Sequence, residues 1–181
     1  IGETEDGLPV NIDRYANEAD GIVVINRIKP HVGFRGPYES GLVKMITIGL
    51  GRQKGAEVCH NQGFGKMAEN LPKIAKVIIE KKNIVFAVGL LENAYDETYK
   101  IVAMDKRQIL DLEPELQKES KKMLPKICFD KFDVLVIDEI GKNITGTGMD
   151  TNIIGRYHTP YASGGPDIKK IVIRIPRLHH K

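Results

Sequence analysis

The stretch GIVVINRIKPHVGFRGPYESGLVKMITIGL, residues 21–50, decides how the chain is read. Its run Ile22, Val23, Val24, Ile25 is β-branched and near-continuous, the pattern of a strand covered on both faces. A glycine-bearing loop over 28–39 follows. The apolar segment 41–50 then reads as a helix that Glu39 or Ser40 can cap. Gly49 and Gly51 loosen or end it, and residues 54–60 supply another helical turn or two.

Upstream, LPV is a short strand followed by a helical turn. Downstream, KMAENLPKIAKVIIEKK (66–82) is amphipathic, with Leu71, Ile74, Ala75, Ile78 and Ile79 on one face and Pro72 in its first turn or at a kink. IVFAVGLL (84–91) is a buried strand, and TYKIVAMD (98–105) is its partner across a polar turn containing Glu92, Asn93, Asp96 and Glu97. A charged helix turns Ile109, Leu112, Leu116 and Met123 inward. FDVLVIDEI (132–140) is another buried strand, and IKKIVIRI (168–175) is the last. Between them lies a glycine-rich loop with room for a short helix. Strands alternating with helices predict an α/β fold with a mixed or mostly parallel sheet and flanking helices. A lobe boundary falls near 125–131.

With 181 residues the chain can bury a real core. Its 27 basic and 24 acidic residues are intermixed and leave a net charge of +3, which gives no electrostatic reason to expect nucleic acid or an anionic membrane as partner. No apolar run reaches the length of a membrane span. Cys59 and Cys128 form no CxxC, as in a reducing compartment, so free thiols and a cytoplasmic location are expected. A small-molecule substrate is the expected partner, with a homo-oligomer compatible. The chain starts on Ile1 in mid-pattern and reads as an internal portion of a longer polypeptide.

Three side chains in the opening region carry chemistry. His31 lies just beyond the carboxyl end of the first strong strand, where α/β proteins gather ligands and where an imidazole can move protons. As a bland alternative it is a turn histidine bonded to backbone. Lys44 sits among Leu42, Val43, Met45 and Ile46, so its amine is either desolvated and nucleophilic or snorkels outward. His60 can ligate nickel, copper or zinc, but no HxxxH or CxxC completes a protein-only site. Any metal there must draw most of its ligands from elsewhere. The surrounding glycines would let backbone approach something that is not protein.

This order of His, Lys and His, with sixteen positions from Lys44 to His60, resembles the lactate racemase family, whose members read PH..aGfsGG.K with a histidine further on. The resemblance implies a nickel–pincer nucleotide, a cofactor that brings one carbon and two sulfur ligands of its own. Lys44 would be the tether, His60 the remaining nickel ligand and His31 a catalytic acid–base histidine. PYES (residues 37–40) looks like an insertion relative to that family. The resemblance further implies part of a two-domain enzyme: residues 1–127 as the remainder of a cofactor-binding domain with linking helices, and 128–181 as the start of a second α/β domain. The family's second catalytic histidine would lie before Ile1.

The family segment GyPLDqNiYQavK is similar to GTGMDTNIIGRYH (146–158). Aligned on MDTN, its substrate-binding glutamine and lysine fall on Gly155 and His158, so lactate itself is not the expected substrate. Arg156 and His158 become the candidate substrate-binding residues, with Arg156 suited to a carboxylate. The same loop also reads as a structural Ω-loop. Asp138 and Glu139 end a strand and more often cap a turn than catalyse. His179 and His180 sit at the chain end.

Three functions follow. The first is a racemase- or epimerase-type isomerase acting on a 2-hydroxy acid or related secondary alcohol, by proton-coupled hydride transfer to the nickel–pincer nucleotide, with His31 as base. The second is a non-catalytic nucleotide- or anion-binding module, or a fragment needing a partner. The third is an enzyme that uses Lys44 as a Schiff-base amine without metal.

Overall fold

A computed structural model describes residues 1–174. His179 and His180 lie outside the described residues. The chain begins with a small hairpin of β1 (Gly2–Glu3) and β2 (Pro9–Val10), followed by α1 (Arg14–Glu18), whose first turn is capped by the Asp13 carboxylate accepting the N–H groups of Tyr15 and Ala16. Strand β3 (Ile22–Arg27) leads through the long loop to α2 (Leu42–Lys44), which widens without a break into a π-helical turn over Met45–Gly49. Helices α3 (Arg52–Asn61) and α4 (Phe64–Lys81) follow, then β4 (Ile84–Glu92), β5 (Thr98–Asp105) and α5 (Ile109–Met123). The last elements are β6 (Lys131–Ile137), the short α6 (Thr151–Ile154) and β7 (Asp167–Ile173).

The architecture is mixed α/β, but the strands do not join one sheet. Among the described residues they sort into β1–β2, β3–β4–β5 and β6–β7. Strand β3 runs parallel to β4, β4 antiparallel to β5, and β6 parallel to β7. Ile22, Val24, Ile84, Ala87, Leu91 and Met104 face a core completed by Leu42, Ile46, Leu71, Ile74, Ile78 and Ile109 from the helices. Each of the larger side chains in this set, the Val, Leu, Ile and Met residues, contributes about 1.5–3 kcal/mol of transfer free energy on full burial.

Three expectations are corrected. The β-branched run in β3 is covered on one face only: Val23 is 44% and Ile25 58% exposed, beside exposed Phe86 and Ile101. Val134 and Val136 of β6 are likewise exposed, and among the described residues no side chain of β6 is buried. Of the two placements expected for Pro72 only the first turn is excluded, since helix α4 starts at Phe64 and Pro72 lies well inside it. On α5 the buried face is Ile109, Glu113, Leu116, Gln117 and Ser120, a 3.6-residue rhythm that leaves Leu112 on its edge, 36% exposed.

Candidate functional site

The site grows from the loop between β3 and α2. Its ends are closed by the Lys29 N–H donating to the Ser40 carbonyl (2.8 Å) and by Asn26 Nδ2 donating to the Gly41 carbonyl (2.9 Å). Inside, Glu39 is fully buried and does not cap the helix. Its carboxylate accepts the N–H of His31 (2.9 Å) and of Gly36 (3.1 Å), and it pairs with Arg35 and Lys121. Four donors on one carboxylate fix the backbone that carries His31. The cap on α2 comes from elsewhere. Glu113 of α5, also without exposure, accepts the Val43 N–H at 2.8 Å through Oε2, while its Oε1 has no partner. Burial holds the Glu113 carboxyl up at about 7.

Arg35 ties this loop to the segment after α6. One guanidinium nitrogen donates to Asn152 Oδ1 (2.6 Å) and to the Tyr157 hydroxyl (2.8 Å), the other to the His31 carbonyl (2.7 Å), and Nε to the Ser163 carbonyl (3.1 Å). Thr151 Oγ1 donates to the Val32 carbonyl, Thr159 Oγ1 to the Gly33 carbonyl, and the Arg35 N–H to the Tyr161 carbonyl. The clasp brings His158 against Gly33: a Cβ at position 33 would lie 3.1 Å from His158 Nε2 and 3.0 Å from the Phe64 ring. Glycine is what allows that approach.

Phe64, first residue of α4 and preceded by Gly63 at φ +77°, stands among three imidazoles. Its ring centroid is 6.2 Å from His31, 5.9 Å from His60 and 5.6 Å from His158, with near-perpendicular contacts to the last two. His31 is half-buried, and burial pushes its imidazole down to about 3. The charges of Lys44, His158, Arg35 and His60 all push the same way. Lys44 is half-buried, and its amine is held below the usual lysine range by burial and then by the Lys29 charge. Four sequence candidates, His31, Lys44, His60 and His158, thus share one neighbourhood.

Other candidates behave differently. Arg156 donates from one guanidinium nitrogen to the Ile168 and Lys169 carbonyls and so braces β7. Cys59 beside His60 is fully buried, its thiol pushed up to about 11, which makes it inert packing. Both cysteines are free. Asp138 pairs with Arg174 at 3.0 Å and caps no turn among the described residues. Among the described residues, no group of three or more His, Cys, Asp or Glu could hold a metal ion. No helix among them is long and apolar enough to cross a membrane. No family model matches the chain, and no curated protein matches it.

The hydrogen bonding of His31 also bears on its expected role as base. Its Nδ1 accepts the Gly33 N–H at 3.0 Å. A neutral imidazole with an accepting Nδ1 carries its proton on Nε2. With its basicity lowered as well, His31 is set up to donate a hydrogen bond rather than to take a proton.

Proposed function

We propose that the chain carries part of an isomerase site for a 2-hydroxy acid or related secondary alcohol, built around a tethered nickel–pincer nucleotide. The observation that carries the reading is the convergence of an amine with lowered pKa, Lys44, with the imidazoles of His31, His60 and His158. The donor set fits such a group: one amine for attachment, and an exposed imidazole, His60, for a metal whose other ligands come with the cofactor. The Phe64 ring fills the space among the imidazoles, so a planar group would lie against that ring rather than in its place.

When bound, the nickel–pincer nucleotide would supply a reversible acceptor for the α-hydrogen of the substrate. The protein's own groups would handle the proton. His31 would present Nε2–H to the substrate oxygen as a neutral donor, the part a histidine plays when its environment keeps it uncharged. His158, on the facing segment, would take the hydroxyl proton. The Arg35 clasp would hold the two histidines at a fixed separation, and Phe64 would keep water from the reacting face.

Metal analysis of protein co-produced with cofactor-making enzymes tests this. Stoichiometric nickel, lost in His60→Ala, supports the reading, and its absence from the unaltered protein counts against it. The lowered Lys44 amine also favours a metal-free Schiff-base reaction. Borohydride trapping of a carbonyl substrate on Lys44 without nickel would single that reading out.

A further inference from the structure

A cleft of about 350 Å³ opens where the end of α5 and the link to β6 meet the segment after α6. Arg35 and Tyr157 of the clasp line it, but His31, Lys44, His60, Phe64 and His158 do not. Three cations border it: Arg35, Lys121 and Lys126. Two carboxylates oppose them. Buried Glu39 pairs with Arg35 and Lys121, and exposed Asp130 stands on the wall itself. One positive charge is therefore in excess. Much of the remaining wall is apolar, with Leu124, Ile127, Phe129 and Ile153.

The donors divide into spent and spare. Arg35 has used all its N–H groups: Nε on the Ser163 carbonyl, and the two terminal nitrogens on His31, Phe34, Glu39, Asn152 and Tyr157. It shapes the wall and has nothing left for a ligand. Lys121 pairs with Glu39 alone, which leaves N–H groups of its ammonium free. The Tyr157 hydroxyl accepts from Arg35 at 2.8 Å, and its own proton has only Asn152 Oδ1 at 3.5 Å, too far to hold it. Gly164 and Gly165, at φ +120° and +79°, turn the rim, and their backbone N–H groups meet no backbone acceptor among the described residues. A Cβ on Gly165 would lie 2.8 Å from the Gly155 backbone, so the rim is packed main chain on main chain. We propose that this cleft binds a small organic monocarboxylate, its charged end on Lys121, the Tyr157 hydroxyl and the Gly164–Gly165 rim, and its apolar body against Leu124, Phe129 and Ile153. A single excess cation matches one carboxylate, whereas Asp130 and the apolar wall oppose a phosphate dianion.

The test needs neither nickel nor nucleotide. Phenylacetate, titrated into the full chain and followed by amide nuclear magnetic resonance shifts, should saturate with a Kd of roughly 1 mM or tighter. The shifts should centre on Lys126, Phe129, Tyr157, Gly164 and Gly165. Two exposed charges give variants that act in opposite directions without touching the core. Lys126→Met should bind about threefold more weakly, and Asp130→Asn about threefold more tightly. Neutral phenylacetamide should bind at least about tenfold more weakly than phenylacetate. No saturable shift at these amides overturns the proposal. So does phenylacetamide binding as well as the acid, or a Kd that neither variant moves. Inorganic phosphate binding at the same amides as tightly as phenylacetate would overturn the monocarboxylate assignment.

Discussion

The Glu113 carboxylate accepts the backbone N–H of Val43 at 2.8 Å, one residue before Lys44. A charge from α5, seventy positions away in sequence, thus caps the turn that carries the candidate tether. The cost of burying that charge shows in its pKa, raised to about 7. A carboxyl raised in the folded state binds more protons folded than unfolded. Its stabilising share is therefore complete below about pH 4.5 and is lost as pH rises through about 7.

Denaturant unfolding measured between those pH values should show stability falling by about 3 kcal/mol from this group. Glu113→Gln keeps an acceptor for Val43 and should flatten that slope. A slope unchanged in Glu113→Gln would mean the pH dependence arises elsewhere.

Glu39 is the second buried carboxylate, and it organises rather than caps. Glu39→Ala removes the acceptor for His31 and Gly36 and leaves Arg35 and Lys121 unpaired. The expected loss is about 3 kcal/mol, read as a lower denaturation midpoint. Glu39→Gln, which can still accept from the two N–H groups, should lose less.

Arg35 joins the histidine loop to the segment of His158. Arg35→Lys keeps the charge but not the planar fork. Amide hydrogen exchange should then speed up at Tyr157 and Tyr161 while the core strand β4 stays protected. Equal exchange in both proteins would show that the clasp does not depend on the guanidinium.

His31 should remain neutral well below the usual histidine range. An imidazole depressed in the folded state makes stability fall as pH drops from about 6.5 toward about 3. Nuclear magnetic resonance titration of its ring protons checks this. Phe64→Ala, which admits water to the ring, should move the His31 midpoint upward, and a midpoint near the ordinary value in the unaltered protein would remove the proposed donor role.

Much of the fold was legible because it rests on local periodicity. The apolar face of α4 and the β4–β5 hairpin across Asn93 and Glu97 follow from nearby residues. The sidedness of the sheets was not legible: Val23 and Val24 look alike in sequence, and only the placement of the helices buries one and exposes the other. The site divides in the same way. His31, Lys44 and His60 stand within thirty positions and were visible as a group, whereas Glu39, Arg35 and Glu113 act through contacts that only folding creates. Phe64 carried no signal as a lone aromatic before a helix. Arg156 looked like an anion anchor because its carbonyl partners on β7 lie twelve and thirteen residues on.

The central claim is that Lys44 anchors a nucleotide-derived group beside His60. Intact-mass and peptide analysis of the protein after co-expression with cofactor-making enzymes tests it most directly. The account predicts an added mass on Lys44 that vanishes in Lys44→Ala and persists, without nickel, in His60→Ala. An unmodified Lys44 under those conditions would contradict it.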